Sequence, residues 1–334
     1  MKLLVIAICL ILGVALAAQL TPEEEDRIFE QWLREHNIKV PHDEAYKQWK
    51  ANVIQRLNEI EAHNEDFRNG KVKFKQVLNH FAHLSSEEIS KTKHGHKNIA
   101  PDPSKVIPVV TRPKRAADDI PAYWNWYEKG IVSPPLDQRC GCCYAHAGTG
   151  VIEAHACKHF GKCIKLSEQE ALECTKKCEG GNYEMIFQYA KDNGGMASDL
   201  DHPYVLPDLT ECSIDVKNNA RVPNTKVVDW KVMPNDSYTI MHTLYNKGPL
   251  YAGLHIFWNF YFHHEGVYDT PKNETNDWHA LMLVGYGTES DGTDYWIVRN
   301  SWSTKWGVNG LAKIKRGVDI LKIESAGVAY PILE

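Results

Sequence analysis

The distribution of the cysteines constrains the fold of this chain more than any other feature of its sequence. Eight of the nine cysteines lie within one stretch of 73 residues, at positions 140, 142, 143, 157, 163, 174, 178 and 212. Such a cluster predicts disulfides in an oxidising compartment or else a metal site. Histidines do not accompany these cysteines at the spacings of zinc sites, so we expect mostly paired cysteines and no metal.

The first residues match the pattern of a secretory signal peptide. Lys2 precedes an unbroken apolar run over residues 3–18, which ends in small residues where we expect cleavage. A membrane anchor is the alternative, but the run is shorter than the roughly 20 apolar residues that span a bilayer. The N-glycosylation sequons at Asn235 and Asn273 fit the same secretory route.

Composition divides the chain into three parts. Residues 21–88 are charged, lack cysteine and carry apolar residues at helical intervals, which predicts two or three amphipathic helices, the first capped by Thr21. Residues 89–119 are rich in Lys, His and Pro and include a basic stretch where we expect proteolysis. We therefore predict three parts, a signal peptide (1–18), a removable pro-region (19–115) and a functional domain (116–334).

Charge and glycine content give no support to nucleic-acid or nucleotide binding. The net charge is -5 and the sequence pI is about 6.3, so the chain has no overall basic character. Gly285 and Gly287 come nearest to a dinucleotide-binding loop, but Ser290 stands where the third glycine is needed. We expect no nucleic-acid partner and no cofactor.

Cys143 stands where a helix is predicted to begin. Residues 144–160 have a helical pattern, and the positive end of a helix dipole favours an anion at its N-terminus. There, and beside an imidazolium, the pKa of a thiol falls from about 8.5 to as low as about 3–4, which produces a thiolate nucleophile. Cysteine counting alone favours the alternative, that Cys143 is half of a disulfide.

The sequence around Cys143 resembles the nucleophile signature of papain-like cysteine peptidases, in which Trp or Tyr follows the nucleophile, as Tyr144 does here. Residues 120–126 resemble the N-terminus of the mature peptidase, residues 167–170 its second helix and residues 178–181 a loop of its substrate cleft. The resemblance implies an α+β fold with two lobes. One lobe is largely helical and led by the Cys143 helix, and the other is a mainly antiparallel, barrel-like sheet.

The pairing of the other cysteines follows from the resemblance and from one short spacing. The family pattern implies the first two pairs and a local loop the third: Cys140–Cys178, Cys174–Cys212 and Cys157–Cys163. Cys143 then remains as the nucleophile. We interpret Cys142 as a buried free thiol, at a place where the family has a small residue.

His279 is expected to be the base that works with Cys143. It precedes a strand-like run, residues 280–287, and lies 136 residues after Cys143, within the interval of the family. By resemblance, Asn300 accepts a hydrogen bond from the imidazole and fixes its tautomer. Trp302 is then expected to cover the pair from water.

The resemblance also implies an oxyanion donor and a substrate cleft. Gln138 is the side-chain donor, with the backbone N–H of Cys143 as the second donor. The interval between these two residues is one residue shorter than in most members of the family, which predicts a reshaped loop. The substrate backbone is expected to lie beside Gly180, Gly181 and Tyr183. Ala326 is expected to line the second subsite, where its small side chain predicts an apolar pocket.

Parts of the pro-region resemble the inhibitory propeptide of cathepsin L-type enzymes, namely residues 60–64, 79–83 and 85–88. This resemblance implies that the pro-region folds over the cleft and blocks it until it is cleaved. Seven histidines between His36 and His96 gain charge near pH 6.5, which suggests acid-triggered release, although a solvated histidine face explains them equally well.

Together these features predict a cysteine-type endopeptidase, made as a zymogen, that hydrolyses polypeptides through an acyl-enzyme. By resemblance we expect a monomer that resides in the lysosome or outside the cell and is inhibited by its own propeptide. One alternative is a papain-fold protein that binds peptides without cleaving them. Another is a disulfide-rich extracellular interaction domain, which requires Cys143 to be bridged.

Overall fold

Capping residues set the start of the first helix. The Thr21 hydroxyl accepts a hydrogen bond from the backbone N–H of Glu24, whose carboxylate accepts one from the Thr21 N–H. This capping box satisfies two N–H groups that have no partner inside the helix. Helix α1 (Pro22–His36) therefore begins where the sequence predicts it.

The computed structural model describes residues 20–112, 120–205, 212, 220–272 and 274–334. Within these ranges the helices are α1, α2 (Asp43–Arg68), α3 (Ser86–Lys93), α4 (Cys143–Phe160), α5 (Glu168–Glu173), α6 (Tyr183–Asp192) and α7 (Ser237–Lys247). The strands are β1 (Phe74–Gln76), β2 (Trp124–Asn125), β3 (Val227–Val232), β4 (Leu250–Phe257), β5 (His263–Tyr268), β6 (Glu274–Thr288), β7 (Asp294–Arg299), β8 (Leu311–Lys315) and β9 (Val328–Leu333).

Three predictions fall wholly or partly outside the described residues. They are the signal peptide, the Asn273 sequon and most of the basic stretch 112–115. The other sequon asparagine, Asn235, is exposed just before α7. Nowhere in the described ranges is a helix long and apolar enough to cross a membrane.

Helix α4 forms the centre of the helical lobe. Its residues 143–157 are all buried, because the helix is packed between other elements. It contacts α5 and α6 on one side and strands β4, β6 and β9 on the other. The helix therefore lies at the junction of the two lobes, with its N-terminus against the sheet.

The second lobe is a mostly antiparallel sheet with the strand order β1-β5-β8-β7-β6-β4-β9-β3, and β2 pairs with β6. Only the pairing of β5 with β8 is parallel among the described strands. The combination of a helical lobe with this sheet confirms the predicted α+β, two-lobed fold. The strand that carries His279 begins earlier than predicted, at Glu274, because polar residues before the apolar run also pair with β4.

The pro-region is built into both the sheet and the cleft. Strand β1 pairs antiparallel with β5 and so extends the sheet at one end. After α3 the chain is extended, and His96 forms a parallel bridge with Gly181. Further on, Val106 bridges Val232 in β3. The pro-region therefore crosses from one side of the second lobe to the other through the space between the lobes.

Candidate active site

Cys143 is the first residue of α4, so no carbonyl of the helix accepts its backbone N–H. The residue is completely buried and is not part of a disulfide. Its Sγ accepts a hydrogen bond from the backbone N–H of Ala280 at 3.3 Å. The thiol therefore lies against β6, next to the residue that follows His279.

The remaining cysteines form the expected set of disulfides, Cys140–Cys178, Cys157–Cys163 and Cys174–Cys212. Cys142 is free and buried, with its Sγ 3.8 Å from the Tyr204 hydroxyl. Burial raises the pKa of the Cys142 thiol to about 11, so this thiol stays protonated at ordinary pH. No group of three or more His, Cys, Asp or Glu in the described ranges is arranged to hold a metal ion.

His279 and Asn300 are in direct contact. Nε2 of His279 lies 2.7 Å from Oδ1 of Asn300, and both residues are buried. Since the amide oxygen is only an acceptor, the hydrogen of the neutral imidazole lies on Nε2. Nδ1 has no hydrogen-bond partner among the described residues, so its lone pair is free to take a proton.

Trp302 covers one side of this pair. Its ring is completely buried, and its centre lies 4.7 Å from that of the His279 ring. The Trp302 ring also stacks on the Tyr261 ring, with the ring centres 5.2 Å apart, and makes a T-shaped contact with the ring of Phe81 in the pro-region. The hydrogen bond between His279 and Asn300 therefore lies beside a buried aromatic cluster.

Burial controls the charge state of the site in the precursor. It raises the pKa of the Cys143 thiol well above its ordinary value. It also lowers the pKa of His279 to about 3, against the opposing hydrogen bond to Asn300, and the nearby His94 and His96 of the pro-region lower it further. With the pro-region in place, the thiol and the imidazole are therefore both neutral.

The Gln138 side chain is buried and already engaged by carbonyl groups of the pro-region. Its Nε2 donates to the Cys140 carbonyl at 3.0 Å, and the carbonyls of Thr92 and His94 lie 3.2 and 3.4 Å away. The Ser301 hydroxyl donates to Oε1 at 2.5 Å and so fixes which end of the amide faces the cleft. Sequence reasoning missed this contact, although Ser301 directly follows Asn300.

The pro-region segment after α3 occupies the predicted cleft. The N–H of Gly181 donates to the Gly95 carbonyl, and the N–H of Lys97 donates to the Gly181 carbonyl, both at 2.7 Å. These bonds place His96 directly beside Gly181. Two more predicted cleft residues, Tyr183 and Ala326, are buried. The Ala326 carbonyl lies beside the His96 ring, and the Tyr183 ring packs edge-on against Tyr251.

Two further residues of the pro-region hold it in this position, and neither gives a signal in the sequence. Lys93 is buried and donates to Asp137 at 2.7 Å and to the Gln138 carbonyl at 2.5 Å. Gly95 has φ +135°, and a Cβ at this position would lie 2.0 Å from the carbonyl oxygen of Gly141. Only glycine therefore fits where the pro-region segment passes this close to the backbone of Gly141.

Comparisons with known proteins agree with this geometry. Residues 120–331 match the papain family cysteine protease domain, and residues 29–89 match the cathepsin propeptide inhibitor domain. Procathepsin L of Felis catus is 32% identical over 325 residues, which cover 93% of this chain and 93% of the relative. Cathepsin L-like peptidase of Aedes aegypti is 32% identical, over 84% of this chain and 85% of its own length.

Solved structures lead to the same result. Digestive procathepsin L2 proteinase from Tenebrio molitor larval midgut has a TM-score of 0.82 at 28% identity, covering 92% of this chain and 100% of that chain. The recombinant stem bromelain precursor has a TM-score of 0.80 at 26% identity, covering 93% and 99%.

The chain belongs to the papain family of cysteine proteases. The second matched domain adds a propeptide inhibitor, so the protein is made as a zymogen. Within the family it is a cathepsin L-like precursor. The predicted family, the predicted fold and the predicted class of enzyme are thereby confirmed.

Proposed function

We propose that Cys143 is the nucleophile of this cysteine endopeptidase, His279 its base and Asn300 the residue that orients the base. The observation that carries the proposal is the 2.7 Å contact between His279 Nε2 and Asn300 Oδ1, which leaves Nδ1 free on a strand that touches Cys143 Sγ. A nucleophile, a base and an orienting group are the three parts that such catalysis requires.

The chemistry follows from these positions. When the pro-region leaves, water reaches the site and the desolvation that keeps both groups neutral is relieved, so the proton of Cys143 passes to Nδ1 of His279. The thiolate attacks the carbonyl carbon of a peptide bond, and the imidazolium gives its proton to the leaving amine. His279 then takes a proton from the water that hydrolyses the resulting thioester.

The negative charge that develops on the carbonyl oxygen needs donors. We assign Gln138 Nε2 and the backbone N–H of Cys143 to this role. The two pro-region carbonyls beside Gln138 Nε2 support the assignment, because this amide N–H group already donates to peptide carbonyl oxygens of the segment that fills the cleft. Trp302 then protects the base from water. The substrate backbone lies along the remaining cleft residues, which are Gly180, Gly181, Tyr183 and Ala326.

We propose polypeptides as substrates, a monomeric enzyme and a secretory route that ends in the lysosome or outside the cell. Residues 1–18 are proposed as the signal peptide, 19–115 as the inhibitory propeptide and 116–334 as the mature peptidase. The disulfides between residues 140 and 212 support this route, because an oxidising compartment preserves them.

Active-site labelling of the acid-matured protein with a peptidyl epoxide, read by mass spectrometry, tests the proposal. We expect labelling at Cys143 and none in Cys143→Ala. Cys142→Ser is the matched control, because it removes the adjacent buried thiol and is expected to retain labelling.

Absence of labelling after the pro-region has been removed would contradict the assignment. It would favour the alternative of a papain-fold protein that binds peptides without cleaving them. Labelling that moves to Cys142 would contradict it as well.

A further inference from the structure

A pocket beside the cleft holds the side chain of His96 from the pro-region. His96 is only 6% exposed, and the backbone on either side of it is hydrogen-bonded to Gly181. Nδ1 of His96 lies 2.9 Å from the hydroxyl of Tyr251. A Cβ on Gly253 would lie 2.4 Å from Nε2 of the same ring, so the absence of a side chain there makes the space that the ring fills.

We assign this pocket as the second subsite, because Ala326 lies beside it. Its lining is more polar than the apolar lining that the sequence predicts for that subsite. The carbonyl oxygen of Ala326 lies on the Nε2 side of the imidazole, and the Tyr251 hydroxyl lies on the Nδ1 side. Burial lowers the pKa of His96 to about 4, and the Ala326 carbonyl opposes this shift. The pocket therefore holds a neutral ring with a hydrogen bond at its inner end.

The Tyr251 hydroxyl depends on this contact. The residue is completely buried in β4, and its ring packs edge-on against Tyr183 at 5.6 Å. Among the described residues, His96 is the one hydrogen-bond partner of this hydroxyl. Removal of the pro-region takes this partner away, and a buried hydroxyl without a partner is costly. A substrate side chain that accepts a hydrogen bond restores it.

We propose that Tyr251 is a specificity residue, whose hydroxyl makes the second-subsite pocket prefer a neutral aromatic side chain with an acceptor nitrogen, such as histidine, over an aromatic ring of similar size that lacks this acceptor. The inference rests on the proposed function, because it concerns the substrate of the same site. The pro-region occupies the pocket with the kind of side chain that the pocket selects.

Two quenched peptide substrates test the inference with the acid-matured protein. They differ only in the second residue before the scissile bond, which is histidine in one and 2-thienylalanine, a ring of similar size without the nitrogen acceptor, in the other. At pH 7 a free histidine is mostly neutral. We expect kcat/KM to favour histidine by about five- to tenfold, as for the loss of one hydrogen bond in a closed pocket.

Tyr251→Phe is expected to bring this ratio close to one. Tyr286→Phe is the matched control, because it removes from β6 a buried hydroxyl that makes no hydrogen bond among the described residues, and it is expected to keep the wild-type ratio. Epoxide labelling of Cys143 establishes that each variant has a working site.

Equal cleavage of both substrates by the wild type would overturn the inference without use of any variant. An unchanged ratio in labelled Tyr251→Phe would overturn it too. Failure of the wild type to label and to cleave either peptide would instead contradict the proposed function.

Discussion

The imidazole of His279 is held by Asn300 through Nε2, and the ring nitrogen that faces away from Asn300, Nδ1, has no partner among the described residues. Oδ1 of Asn300 also accepts the backbone N–H of Ser301 at 2.8 Å. The hydrogen bond from Ser301 therefore holds the amide oxygen in the position from which it accepts the imidazole N–H. Its effect on catalysis is to set the direction in which Nδ1 points.

Asn300→Ala removes the acceptor and frees the ring to rotate. We expect kcat of the matured enzyme to fall by about 100-fold, the scale of a misplacement of about 1 Å, with a smaller change in KM. Asn300→Asp keeps an oxygen at the same place and is expected to retain more of the activity. Steady-state kinetics over a pH series measure both. An equal loss in the two variants would contradict an orienting role.

Gly95→Ala is expected to weaken the hold of the pro-region on the cleft. The added Cβ would clash with the Gly141 carbonyl, and the positive φ disfavours alanine. Strain of this kind costs about 1–3 kcal/mol, so the precursor at neutral pH should be labelled by the epoxide about 5- to 150-fold faster than the wild type.

The matched control for this variant is Gly70→Ala in the same pro-region. Gly70 also has a positive φ, +69°, but nothing lies within 4 Å of a Cβ at this position. It carries the backbone strain without the clash. Equal labelling rates in the two variants would contradict a specific role for the close approach at Gly95.

The pro-region is expected to lose stability on acidification. His83 packs between Trp32 and Trp49, and burial lowers its pKa to about 4, with Glu88 opposing the shift and His36 adding to it. Above about pH 6.5 the group is neutral in both folded and unfolded states. As the pH falls from there towards 4, only the unfolded state binds the proton, so folding becomes less favourable.

His83→Phe keeps a ring in this position and removes the titration. Thermal unfolding of the non-processing Cys143→Ala precursor between pH 7 and pH 4.5 measures the effect. We expect the loss of stability on acidification to be smaller when His83→Phe is added. Parallel curves for the two proteins would show that His83 has no part in the acid response.

The disulfides are expected to differ in their contribution to stability. Cys140 and Cys178 are 38 residues apart, whereas Cys157 and Cys163 are 6 apart. Loop-closure entropy predicts losses of about 4 and about 2 kcal/mol when the first and the second pair are replaced by alanine. Urea unfolding of the two double variants in the Cys143→Ala precursor measures the difference. Equal losses would contradict the entropic account.

The sequence predicts what local patterns determine. Thr21 caps the first helix because the capping box is a contact between residues three apart, and the start of α4 follows from a continuous apolar pattern. The contact between His279 and Asn300 spans 21 residues across one strand pair, and it was predicted only through the resemblance to a family. The start of β6 was predicted too late, because the residues before His279 are polar and do not continue the apolar pattern.

Contacts between distant segments that the family resemblance does not imply were not predicted. The hydrogen bond between His96 and Tyr251 joins residues 155 positions apart, and the sequence around Tyr251 indicates an ordinary apolar strand. No pattern in a single strand shows which hydroxyl faces a pocket filled by another segment. The same holds for Lys93 and Gly95, whose partners Asp137 and Gly141 belong to the other part of the chain.

The pairing of β1 with β5 has a consequence for the mature enzyme. In the precursor, Phe74 and Lys75 lie opposite Gly266 and Glu265, so the outer edge of β5 is covered. Cleavage that frees the cleft also removes β1 and leaves the backbone groups of β5 without their neighbour. An unpaired strand edge invites self-association, so we expect the precursor to be less prone than the mature enzyme to pair with other molecules along β5.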